Sequence, residues 1–125
     1  MAETGDAELA ATLVQAAGRL AAGMLAEGLT GERKTSVSDV VTAADHAAEA
    51  LIAERLRAAR PEDGLVGEEG TRATAVSGRT WFVDPVDGTY NFLSGLPFWC
   101  SALALADSSG EPLLGAVFMP VTGEL

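Results

Sequence analysis

Two carboxylates in residues 81–92 have a spacing suited to holding a cation. Asp84 and Asp87 stand three residues apart, and Pro85 restricts the backbone between them. Carboxylate oxygens are the ligands that hard cations such as Mg²⁺ prefer. Asp, Pro and Gly are also frequent in ordinary turns, so the segment alone is compatible with a turn that has no chemistry.

The residues that follow Asp87 add a place for an anion. Gly88 would let the backbone approach a ligand closely. We expect a short helix to start near Thr89, and the unpaired N–H groups at a helix start favour a negatively charged group. The whole segment therefore predicts a site for a metal ion beside a phosphate.

A third carboxylate, Asp45, lies three residues after Thr42. This spacing is that of a capping box and predicts a helix from Ala43 to about Ala59. Asp45 is three residues before Ala48, on the apolar stripe, so its carboxylate faces inward and needs a cation or a donor. The alternative is that Asp45 only stabilises the start of the helix.

Glu68 and Glu69 form a further acidic pair, between glycines and just after a short strand at Leu65–Val66. Side chains alternate in an extended chain, so we expect only one of the two to face a given site directly. A solvated acidic loop is the ordinary alternative.

The remaining elements must position these acids. The apolar pattern predicts a helix over 7–26, a polar loop over 71–79 and a strand over 81–83 that ends at Asp84. A short helix over 90–96 and a strand over 98–106 follow. After a turn over 107–110 come a strand over 112–119, a turn over 121–124 and a further strand opening at Leu125. His46 is predicted to lie at the surface. Trp81, Trp99 and Cys100 are predicted to pack in the core.

Composition narrows the classes of partner. The chain has 125 residues, 48% of them hydrophobic, which indicates one globular domain. A net charge of −10 argues against binding nucleic acid, which requires Lys and Arg. One cysteine cannot form an internal disulfide and favours a reducing, cytoplasmic compartment. Because we find neither a signal-peptide pattern nor an apolar run of membrane length, we expect no membrane association.

Three blocks of the sequence resemble those of one family. Asp84-Pro85-Val86-Asp87-Gly88-Thr89, with Asn91-Phe92, is similar to the signature of the inositol monophosphatase family. The pattern Lys34, Asp39, Val41-Thr42 and Asp45, and then Gly67-Glu68-Glu69, resemble its two earlier blocks in the same order. The resemblance implies an Mg²⁺-dependent, lithium-sensitive phosphatase. It also implies an α+β fold, a layered sandwich of helices and antiparallel sheet of the inositol monophosphatase and fructose-bisphosphatase type.

The resemblance also implies a set of metal ligands. Glu68, Asp84 and the backbone carbonyl of Val86 would hold one Mg²⁺. Asp84 and Asp87 would hold a second, with Asp84 bridging the two ions.

The same resemblance implies the roles in catalysis. Glu68 and Thr89 would orient the attacking water, and Asp45 would support Thr89. Asp87, Gly88 and Thr89 would contact the substrate phosphate. The substrate would be a small phosphate monoester, inositol monophosphate or a related sugar phosphate.

Residues 1–125 correspond to the N-terminal, metal-binding half of such a domain, because family members continue into a second half with a Trp-Asp block that is not found here. We therefore expect an uncapped strand edge and a tendency to self-associate, a homodimer for a full-length form, and a stretch that need not be active alone. Two alternatives stay open. The substrate could instead be histidinol phosphate, fructose bisphosphate or a 3′-phosphonucleotide, or the chain could be a non-catalytic metal-binding module.

Overall fold

The computed structural model describes residues 5–29 and 37–125; Lys34, from the first family block, lies outside them. Three helices and five strands follow one another along the chain: α1 (Asp6–Leu29), α2 (Val37–Ala59), β1 (Gly64–Gly67), β2 (Arg72–Ala73), β3 (Thr80–Asp87), α3 (Thr89–Leu93), β4 (Cys100–Ala106) and β5 (Pro112–Phe118). The strands form a single sheet in the order β2-β1-β3-β4-β5.

The second helix begins earlier than the capping pattern predicts. It starts at Val37 and not at Ala43, so Thr42 lies within the helix and does not cap it. Val41, Ala44 and Ala48 are all buried and form one stripe. Burial of this stripe outweighs the local cap signal, since tertiary packing supplies most of the stability of a helix.

The sheet is mixed, whereas an antiparallel sheet was expected. β1 pairs with β3 in parallel, with Gly64 opposite Thr80 and Gly67 opposite Val83, and the other neighbouring strands are antiparallel. The reason is the short strand β2, which lies in the segment predicted to be only a loop. It runs back along β1, and the Gly64 N–H then bonds the Arg79 carbonyl at 2.7 Å, so β3 starts beside the start of β1.

Strand β3 does not end at Asp84 but continues to Asp87. Its pairing with β4 is irregular between these two residues. Pro85 cannot donate a ladder hydrogen bond and is tolerated at such an irregularity. The Ser101 hydroxyl donates to the Pro85 carbonyl at 2.5 Å, so β4 fixes the backbone between the two aspartates.

The other boundaries differ from the prediction by a few residues. The predicted turn after β4 is confirmed, with the Asp107 N–H bonded to the Glu111 carbonyl at 3.0 Å. The final turn is closed by a bridge between Met119 and Glu124, and Leu125 does not open a strand.

Both long helices pack against one face of the sheet. Trp81 is fully buried there, as predicted, and its indole N–H donates to Asp63 at 2.9 Å. Trp99 is also buried and stacks on Phe92 with ring centroids 4.6 Å apart, whereas Cys100 is only half-buried. The opposite face of the sheet is an open depression of about 510 Å³.

Helix α1 is long and apolar enough to cross a membrane by length and composition: within Asp6–Glu27, an 18-residue window has a mean hydropathy of 1.4. This differs from the expectation drawn from uninterrupted apolar runs, because Arg19 interrupts the segment without making it polar on average. The same helix buries Ala10, Leu13 and Ala17, as core helices do.

Candidate metal centre

The parallel pair of strands brings two carboxylates to one edge of the sheet. Gly67 is level with Val83, and the next residue of each strand is acidic: Glu68 and Asp84. The Glu68 N–H donates to the Val83 carbonyl at 3.0 Å, which holds the end of β1 against β3. Residues 68 and 84, sixteen apart in the chain, therefore become neighbours.

Asp84 is the centre of the acidic group. Burial, together with the negative charges of Asp87, Glu68 and Glu69, raises its pKa to about 6, although the Val86 N–H bonds its carboxylate and acts in the opposite direction. A half-buried carboxylate in this position is easier to protonate because burial and the neighbouring negative charges both disfavour its ionised form.

Helix α2 adds Asp45 to the same group of interacting charges. Its side chain faces inward as expected, with 9% of its surface exposed. Burial and the charges of Glu69 and Asp84 raise the pKa of Asp45 to about 6. The neighbouring His46 is exposed, as predicted, with its Nε2 3.8 Å from the Glu69 carboxylate.

Both members of the glutamate pair lie in the turn after β1. The negative charges of Glu68 and Glu69 each raise the pKa of Asp84, and Glu69 also raises that of Asp45. That only one of the two faces the site directly stays a prediction.

The residues after Asp87 form a tight turn into α3. Gly88 has φ +90°, and a Cβ placed on it would lie 3.0 Å from the Phe98 carbonyl oxygen. The Gly88 carbonyl accepts the Phe92 N–H at 3.0 Å, which starts the helix. The Thr89 hydroxyl donates to the Val86 carbonyl at 3.4 Å. Within residues 5–29 and 37–125, no hydrogen bond joins Asp45 to Thr89.

One buried carboxylate was missed by the sequence analysis. Glu49 is 2% exposed and accepts hydrogen bonds from the turn that carries Glu68. A signal existed: Glu49 follows Asp45 by four residues, so both face the same side of α2.

The donor set suits a hard divalent cation. The carboxylate of Asp84 interacts repulsively with those of three other acidic residues, Asp45, Glu68 and Asp87. In the part of the chain that the structure describes, no group of three or more acidic, histidine or cysteine side chains is arranged so that it could hold a metal ion. A cation held by these carboxylates would offset their mutual repulsion.

Comparisons with known proteins give the family. The profile of the inositol monophosphatase family matches residues 5–125. The histidinol-phosphatase of Mycobacterium tuberculosis is 46% identical over 80 residues, covering 64% of this chain and 30% of that protein. The inositol-1-monophosphatase of Rhizobium meliloti is 45% identical over 89 residues, covering 70% and 33%.

Solved structures agree with the profile. The extragenic suppressor protein suhB of Bartonella henselae superimposes with a TM-score of 0.78 at 31% identity, over 92% of this chain and 44% of that one. The α+β class is thereby confirmed, and the chain spans less than half the length of these relatives. With Glu68, just after β1, placed beside Asp84 of β3, this chain belongs to the inositol monophosphatase family.

Proposed function

We propose that this chain forms the metal-binding part of an enzyme that hydrolyses phosphate monoesters with Mg²⁺. The observation that carries the proposal is the environment of Asp84, a half-buried carboxylate whose pKa is raised by the negative charges of Asp87, Glu68 and Glu69. Such an arrangement costs free energy unless a cation compensates it. Membership in a family whose relatives are named as phosphatases supports the same chemistry.

The proposed ligands follow from the residues at the site. Glu68, Asp84 and the Val86 carbonyl would hold one Mg²⁺, and Asp84 with Asp87 would hold a second. When bound, Mg²⁺ lowers the pKa of water and provides a positive charge that stabilises the phosphoryl oxygens.

The chain itself positions the reactants. Glu68 and the Thr89 hydroxyl would orient the attacking water, and Asp45 would support Thr89. The N–H groups of Gly88 and Thr89 would donate to the phosphate oxygens, beside Asp87. The turn at Gly88 has no room for a side chain, because its φ is +90° and an added Cβ would lie 3.0 Å from the Phe98 carbonyl oxygen.

The proposed substrate is inositol monophosphate or a related sugar phosphate. Histidinol phosphate is a second candidate, favoured by the name of the mycobacterial relative. Fructose bisphosphate and a 3′-phosphonucleotide complete the panel of substrates to be tested. We further propose a small-molecule partner with neither nucleic acid nor membrane, a cytoplasmic location and a homodimer for a full-length form.

Phosphate release with Mg²⁺, measured with and without Li⁺ over the substrate panel, tests the proposal. We expect release that requires Mg²⁺, is inhibited by Li⁺ and is abolished in Asp84→Asn, when the chain is assayed within a full-length protein. Calorimetric titration of the 125 residues with Mg²⁺ separates the alternatives. Cation binding without turnover in either form would indicate a non-catalytic module, and the absence of both would contradict the proposal.

A further inference from the structure

The Glu49 carboxylate organises the turn that carries Glu68. It accepts the Glu69 N–H at 2.8 Å, the Thr71 N–H at 3.1 Å and the Thr71 hydroxyl at 2.6 Å. These three donors satisfy both oxygens of a carboxylate that is almost fully buried.

The backbone approaches Glu49 as closely as a glycine allows. A Cβ added to Gly67 would collide with the Glu49 carboxylate. The turn is also closed on itself, since the Gly67 N–H donates to the Thr71 carbonyl at 2.8 Å. Arg72 donates to the carbonyls of Gly67 and Thr71 at 2.7 and 2.9 Å. Residues 67–71 are thus held from the helix side by one carboxylate.

We propose that Glu49 is a positioning residue, which fixes the turn over 67–71 and so holds the Glu68 carboxylate beside Asp84. That this position of Glu68 serves the binding of a divalent cation rests on the proposed function. Helix α2 then carries two acidic residues with different roles, one helical turn apart. Asp45 faces the site, and Glu49 supports the turn that completes it.

A purely structural anchor is the competing explanation. It would lower the global stability of the chain when removed, without a specific effect at residues 67–71 or on cation binding. Two measurements separate the explanations: hydrogen exchange of individual amides, and the affinity of the chain for Mg²⁺.

Hydrogen exchange in Glu49→Gln tests the ordering of the turn. A carboxamide offers one acceptor oxygen to three donors, so we expect the Glu69 and Thr71 amides to exchange at least about tenfold faster. The amides of β4 should change by no more than the global stability does. Thr71→Val, which removes only the hydroxyl donor, should give a smaller increase. Glu54→Gln, at an exposed position of α2, is the matched control and should change neither amide.

Calorimetric titration with Mg²⁺ tests the link to the site. We expect Glu49→Gln to bind Mg²⁺ at least about fivefold more weakly although no proposed ligand is removed, with Glu54→Gln unchanged. Unchanged exchange at Glu69 and Thr71, or faster exchange with unchanged Mg²⁺ affinity, would overturn the inference. A wild-type chain that binds no Mg²⁺ contradicts the proposed function, whereas the exchange rates still decide whether Glu49 orders the turn.

Discussion

Asp84 and Asp45 make the stability of the chain dependent on pH. The pKa of each is raised to about 6 from a value of 3.8. Between these values the folded chain binds more protons than the unfolded chain. The free energy of unfolding without divalent cations should therefore fall as the pH rises from about 4 to about 6, and level off above that range.

Asp84→Asn should remove more than about half of this fall, because one of the two raised groups is removed and the repulsion on Asp45 also decreases. Urea unfolding near pH 4.5 and near pH 7 with a chelator measures the effect. Glu111→Gln, an exposed residue in the β4–β5 turn, is the control for net charge. A wild-type chain that gains stability over this pH range would contradict the prediction.

Position 88 requires glycine for two reasons: its φ is positive, and an added side chain would meet the Phe98 carbonyl oxygen. Gly88→Ala should destabilise the chain by about 2–3 kcal/mol, since the new methyl group meets the Phe98 carbonyl oxygen. Gly95→Ala isolates the backbone cost: Gly95 has φ +75° and nothing within 4 Å of an added Cβ, so about 1 kcal/mol is expected. Equal losses in urea unfolding would show that the contact with Phe98 is unimportant.

At the scale of elements, one arginine joins a helix to the sheet. Arg79, just before β3, bonds Asp6 of α1 at 2.7 Å and Asp63 at 2.8 Å. Arg79→Lys should lower the free energy of unfolding by about 1–2 kcal/mol, because an ammonium cannot bridge both carboxylates with the same geometry. Arg57→Lys on the exposed side of α2 should change it by less than about 0.5 kcal/mol. Equal effects in urea unfolding would contradict this role.

The long elements could be predicted from the sequence, because their signals are local. The period of apolar residues in α1 and the alternation in β4 indicate their structure directly. The start of α2 could not be predicted in the same way. The cap pattern at Thr42 is local, whereas the stripe through Val41 that extends the helix gains its stability from packing against other elements.

The acids proposed for the site could be named from spacing and family resemblance. The structure places Glu68 beside β3 near Asp84, and the charge of Asp84 acts on Asp45. Their support was not named, and the i+4 spacing of Glu49 from Asp45 was the one local signal for it. Glu49 carries no motif, and its partners at Glu69 and Thr71 lie about twenty residues away. The parallel pairing of β1 with β3 was missed because strand β2, only two residues long, has no periodic pattern to detect.

For the whole molecule, the sheet has one covered and one open face. Phe82 and Val117 are 46% and 50% exposed on the open face, and Val117 lies in the edge strand β5. An exposed apolar edge strand favours association between chains. We therefore predict that the 125-residue chain self-associates with rising concentration in sedimentation experiments.

A lysine on that face should oppose the association. Val117→Lys should weaken it at least about tenfold, by adding a charge to the edge strand. Val76→Lys changes an exposed valine in the loop before β3 and adds the same charge away from the face, so it should leave association nearly unchanged. Sedimentation velocity compares the two. A wild-type chain that stays monomeric at all concentrations would contradict the prediction.

Because β1 and β3 lie side by side, the distance between Glu68 and Asp84 does not depend on the length of the chain that connects them. Strand register determines that distance, and the exposed Thr74 lies in the connection. A reporter peptide inserted after Thr74 would lengthen only the loop, at a small entropic cost. This position is therefore a suitable one for labelling the protein while its acidic residues keep their places.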